Sequence, residues 1–218
     1  IYYHAARRGG AGPPSIYRMT SLGRDPRPIV VQAESLGLSP DGRELAFVRR
    51  VGRGGGSLKP GFDLIAANVD GTNERKLATR TQPDNFGQGG PLAWAPDGKV
   101  IVCLKGTVGA DAFDSLVAVT VSDGTETPIG SHRWDKVNGA TWLPDGTGLI
   151  VAAFDRESSL GTQIWRVAYP GGEETRITFT NTGQARHSFT SDEMDVSQDV
   201  DANGEATISF TAPDHDVE

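Results

Sequence analysis

Pro-Asp-Gly recurs at Pro40–Gly42, Pro96–Gly98 and Pro144–Gly146, each time after a small or apolar run and before an apolar or β-branched one. Proline presets φ, aspartate bonds nearby backbone amides and glycine accepts positive φ, so each copy reads as a turn between two strands. A second punctuation lies between the copies, at Asp70-Gly71, Asp123-Gly124 and Gly171-Gly172, with Leu22-Gly23 as a weaker earlier member. The prolines are 56 and 48 residues apart, and Gly23, Gly71, Gly124 and Gly172 follow one another at 48, 53 and 48. Two turns in every period of this length describe an array of four-stranded units, which is how a β-propeller reads.

One period shows why the repeat is a blade and not a helical unit. Pro91–Ala95 reads as a first strand, Lys99–Leu104 as a second, the alternating Ser115–Val121 as a third and Thr125–Ile129 as a fourth. The phrase recurs over Leu36–Ser39, Leu45–Arg49, Asp63–Val69 and Glu74–Ala78, and again over Asn138–Leu143, Gly148–Phe154, Gln163–Tyr169 and Thr175–Thr178. Ile1–Ala6, Ser15–Thr20 and Arg27–Val30 supply three more strands. The expected organisation is an all-β propeller of roughly four blades, as an incomplete or larger ring: a partial blade over 1–30, blades over 31–80, 81–130 and 131–180, and a partial or degenerate blade with an acidic tail over 181–218. No stretch keeps apolar residues at helical spacing for three turns.

Composition narrows the function classes. Twenty-eight glycines and thirteen prolines in 218 residues suit short strands and many turns. A net charge of −7, with no compensating cluster of lysine and arginine, disfavours nucleic acid and anionic membrane surfaces as partners. No apolar run approaches the ~20 residues that cross a bilayer, so no membrane insertion by this segment is expected. The lone Cys103, between Val102 and Leu104, reads as a buried strand thiol. The chain starts at Ile1 inside a strand-like phrase, which reads as part of a longer protein.

Leu38–Phe47, Ala93–Gly98 and Thr141–Gly146 resemble the core phrase of TolB-like, WD-repeat-like propellers. Gln163–Glu173, with Ile1–Tyr3 and Ile16–Arg18, is similar to phrases in the propeller that follows the kinase domain and membrane segment of acidobacterial-type bacterial serine/threonine kinases. The resemblance covers about residues 1–180 and implies a sensing or protein-interaction module outside the cytoplasmic membrane. It implies a protein or peptide partner, or a small ligand at the propeller face, and no catalysis by these residues. Kinase motifs are missing, and Ser191–Met194 stands where the family repeats its Asp-Gly turn. Two other readings stay open: the gating propeller of a prolyl-oligopeptidase-type hydrolase, and a stand-alone periplasmic scaffold like TolB.

Individual residues carry weaker signals. Asp41, Asp97 and Asp145 offer a ring of carboxylates for a cation or amine, against the plainer reading that they cap turns. Among Trp94, Trp134, Trp142 and Trp165, the equivalent Trp94 and Trp142 read as core, whereas Trp134, in the polar phrase Ser131–Lys136, is the aromatic first suspected of partner contact. Asp199, Asp201 and Asn203 followed by Gly204 resemble half a calcium loop, but the twelfth position is Phe210, and an Asn-Gly hairpin between Met194–Gln198 and Ala206–Thr211 is the stronger reading. His4, His132, His187 and His215 lack zinc-ligand spacing, and no Gly-x-Ser-x-Gly elbow occurs. Arg50–Gly56 reads as a flexible blade loop whose arginines are available to an acidic partner. No catalytic residue, metal ligand or cofactor is therefore expected.

Overall fold

The computed structural model describes residues 1–5, 13–52, 61–87, 90–109, 112–154 and 161–178, and the backbone of two strands between 195 and 211. Ile1–Thr180 and Asn181–Glu218 are separate units. The first is an all-β propeller of four antiparallel blades. Blade one holds β1 (Tyr2–Ala5), β2 (Ser15–Arg18) and β3 (Arg27–Val31); blade two holds β4 (Gly37–Leu38), β5 (Glu44–Val51), β6 (Gly61–Asn68) and β7 (Arg75–Thr81). Blade three holds β8 (Asp84–Asn85), β9 (Ala93–Trp94), β10 (Val100–Thr107), β11 (Asp114–Thr120) and β12 (Glu126–Trp134). Blade four holds β13 (Lys136–Trp142), β14 (Gly148–Phe154), β15 (Thr162–Ala168) and β16 (Glu174–Arg176). In the second unit, β17 (Asp195–Val200) and β18 (Ala206–Thr211) form an antiparallel hairpin.

The blades are held by the alternation of their central strands. Leu45 and Phe47 of β5 enter the core shared with blade one, while Ala46 and Val48 enter the core shared with blade three. Ile101 and Cys103 of β10 likewise point back to blade two, and Val102 and Leu104 point forward to blade four. A strand between two blades thus buries both faces and reads as a near-continuous apolar run. Cys103 lies fully buried on such a strand, and burial pushes its thiol up to about 12. It is expected to resist alkylation in the native protein at neutral pH and to react fully in denaturant, which a thiol-reagent time course measures.

Three local features differ from the sequence expectation. β8, in the connection entering blade three, pairs with the end of β10, although its two residues carry no periodicity. β12 continues past residue 130 to Trp134, and Trp134 is the largest fully buried side chain among the described residues, packed in the core between blades three and four. It makes no exposed partner surface. Arg50, the first residue of the expected glycine-rich loop, lies in β5 and pairs with Glu34. The remainder of that glycine-rich loop, 53–60, lies outside the described residues.

Candidate binding site on the loop face

Strand alternation puts the repeated turns at one end of the blades and the longer connections at the other. At the turn end, Asp41, Asp97 and Asp145 accept the backbone N–H groups of Arg43, Lys99 and Thr147 at 3.1, 2.9 and 2.9 Å. Asp70 and Asp123 do the same for Thr72 and Thr125, both at 2.9 Å. These carboxylates cap turns. The Ser39 hydroxyl holds Asp41, and the Thr72 hydroxyl holds Asp70, below the ordinary 3.8; the Thr125 and Thr147 backbone amides do so for Asp123 and Asp145. Depressed values in the folded state contribute stability that is complete above the unfolded value and lost as pH falls through the folded ones. The melting temperature is expected to drop as pH falls below about 3.8, and less steeply in Asp70→Asn and Asp145→Asn variants, which thermal melts across acid pH measure.

The other end is chemically richer. There β10 ends, β11 begins, β12 hands over to β13, and two adjoining pockets open, sharing Ala112, Phe113 and Asp135 as a common wall. The larger, about 430 Å³, adds Ser131, His132, Arg133 and Glu174. Its shape is held by pairing between blades: His132 Nδ1 lies 3.0 Å from Glu174 Oε2, and the His132 backbone N–H donates to Glu174 Oε1 at 3.2 Å. The His132 ring stacks on Trp134 at 4.6 Å, and the Arg133 guanidinium sits 4.5 Å over the Phe113 ring. Trp134 therefore serves the site from beneath, as a platform for His132.

The smaller pocket, about 280 Å³, has a floor of two buried polar side chains, Asn85 and Asp114, which are 4% and 6% exposed. Asp114 Oδ2 accepts the Val137 N–H at 3.0 Å, clipping blade three to blade four, with Lys136 Nζ at 3.9 Å. Asn85 Oδ1 accepts the Gly87 N–H at 2.7 Å, which fixes the orientation of its amide. A Cβ on Gly106 would lie 2.7 Å from both Asn85 Oδ1 and Asp114 Oδ1, so the two side chains converge above this glycine only because it has none. Burial pushes the Asp114 carboxyl up, against the opposing pull of the Val137 amide and the Lys136 ammonium. A carboxyl raised by folding costs stability that grows as pH climbs above its unfolded value and is complete above its folded one. Asp114→Asn keeps an acceptor for Val137 and is expected to melt no lower than the parent at neutral pH, as thermal denaturation of both would show.

Neither Asn85 nor Asp114 was singled out by sequence. The available signal for Asp114 is a break in the repeat: Gly61 and Thr162 open the corresponding strands of blades two and four. Among the described residues no group of three His, Cys, Asp or Glu side chains is placed to hold a metal ion. The Asn-Gly loop, 201–205, lies outside the described residues, as do His187, His215 and the tail after residue 211.

No family model matches the chain, and no curated protein matches it. Solved structures do. TolB from Acinetobacter baumannii superimposes with a TM-score of 0.61 at 15% identity, over 97% of this chain and 50% of that one. The fold is that of a TolB-like β-propeller. The TolB-like blades also superimpose on oligogalacturonate lyase from Vibrio parahaemolyticus, with a TM-score of 0.54 at 11% identity, over 91% of this chain and 53% of that one. A nidogen/laminin complex gives 0.52 at 13% identity, over 74% and 54%. The chain thus spans about half the length of each of these structures. Identities at this level establish the shared fold and leave the chemistry to the site.

Proposed function

We propose that this chain is a non-catalytic binding or sensing module that recognises its ligand or protein partner on the loop face, in the cleft between blades three and four. The observation that carries the reading is the contrast between the two ends of the blades. Each turn aspartate is consumed by its own turn, whereas the opposite end holds buried polar side chains beneath open pockets. Buried polar groups under a concave surface are the usual signature of recognition. The TolB-like fold supports a protein-binding role, and the nidogen/laminin complex is a structural neighbour whose assembly includes a partner protein. The Gln163–Glu173 phrase extends the proposal to the sensing portion of a membrane-anchored bacterial serine/threonine kinase, outside the cytoplasm.

The coding sequence on both sides of this segment tests the kinase assignment. A kinase domain and an apolar membrane helix upstream are expected. A hydrolase domain with a Gly-x-Ser-x-Gly elbow downstream would replace the sensor with the gate of a peptidase, and a signal peptide immediately before Ile1 would replace it with a periplasmic scaffold.

A further inference from the structure

Resting on the loop-face reading, the hydrogen-bonding groups on the floor of the smaller pocket narrow the class of ligand. Asn85 Oδ1 is taken by Gly87, and its Nδ2 has no hydrogen-bond partner among the described residues. Asp114 Oδ2 is taken by Val137, and its Oδ1 likewise has none. One donor and one acceptor thus stand free on two side chains, each more than nine-tenths buried, that line the same pocket; the atoms meeting over Gly106 itself are their two Oδ1 oxygens. Phe113, Val108 and Ala112 give the pocket an apolar wall.

Several ligand classes fit poorly. A phosphate or carboxylate would face the Asp114 carboxyl. An ammonium would meet the Asn85 amide donor, and Lys136 already supplies positive charge 3.9 Å from Asp114. A trans peptide group projects its N–H and C=O in opposite directions, so it does not present a donor and an acceptor together to two groups on one pocket floor. A hydroxyl donates and accepts from a single atom. We propose that the cleft binds a neutral, polyhydroxylated small molecule, a sugar or polyol. One hydroxyl donates to Asp114 Oδ1 and accepts from Asn85 Nδ2, the carbon face packs on the apolar wall, and the remaining hydroxyls extend towards Ser131 and Asp135 in the larger pocket.

The test is a titration of the isotopically labelled 218-residue chain with glucose, galactose, myo-inositol and the trans secondary amide N-methylacetamide, following the side-chain amide resonances of Asn85. Saturable shifts with at least one sugar or polyol, absent with N-methylacetamide, are the expected result. Affinity is expected to fall about tenfold or more in Asp114→Asn, which loses the free acceptor but keeps its bond to Val137. Thermal melts of the variant establish that it is folded. No shift with any polyol, an equal response to N-methylacetamide, or unchanged affinity in Asp114→Asn would overturn the proposal. Failure of all four probes would leave a protein partner on the same face as a separate question, answered by capture of that partner.

Discussion

Alanine at Gly124 is expected to cost about 3 kcal/mol of folding stability, and alanine at Gly98 about 1 kcal/mol. Both glycines have positive φ, 75° and 72°, so each substitution strains the backbone. Their surroundings differ. A Cβ at Gly98 meets nothing within 4 Å, whereas one at Gly124 would overlap the Leu77 carbonyl oxygen on β7 of the preceding blade. Gly71 backs onto the Ile29 carbonyl of β3 in the same way, at 2.6 Å, and Gly172 onto the backbone of Gly130 on β12. The Pro-Asp-Gly turns therefore only reverse the chain, while the second set of turns also docks each blade on the one before. Urea denaturation of the two variants measures the difference; equal losses would show that docking at Leu77 contributes nothing beyond the turn.

Arg80→Ala is expected to lose about 3 kcal/mol, and Arg80→Lys to recover less than half of that. Arg80 leaves β7 of blade two and enters blade three, where its side chain is 5% exposed. Its guanidinium donates to the Leu104 and Asn85 carbonyl oxygens and to Glu126 Oε2 at 2.6 Å, and it lies 4.1 Å from the Phe86 ring centroid. Removing it strands two carbonyls and a carboxylate around a cavity. Glu126 is 35% exposed and rehydrates, which keeps the loss near the bottom of the range for broken buried pairs. A lysine ammonium is a single point and cannot span acceptors on β8, β10 and β12 together. Because Asn85 lies on the pocket floor, the same variant is expected to disturb the Asn85 side-chain resonances.

Blade order and most strand positions were legible because turns are written in local chemistry: Pro-Asp-Gly and Asp-Gly specify a reversal wherever they occur. What sequence missed depends on pairing between distant strands. Trp134 reads as a loop residue because a bulge interrupts β11 and β12. Asp114 pairs with Trp134 and Leu116 with Ile129, so the single residue Ser115 on one strand stands opposite the four residues 130–133 on the other and the alternation lapses. Asn85 sits in a two-residue strand too short to show a period, and Asp114 reads as an ordinary surface aspartate until Val137 of the next blade is placed against it. The turn aspartates, conspicuous in sequence for their repetition, are occupied in the fold by their own backbone.

The most direct test of where this protein recognises its ligand is an unbiased one. A library of small neutral, cationic and anionic fragments, screened against the labelled chain by amide shift mapping, is expected to place its hits around Asn85, Thr107, Asp114 and Ser131–Lys136. Hits gathered at Pro40–Gly42, Pro96–Gly98 and Pro144–Gly146 would move recognition to the turn face and contradict the assignment of those aspartates to turn capping alone.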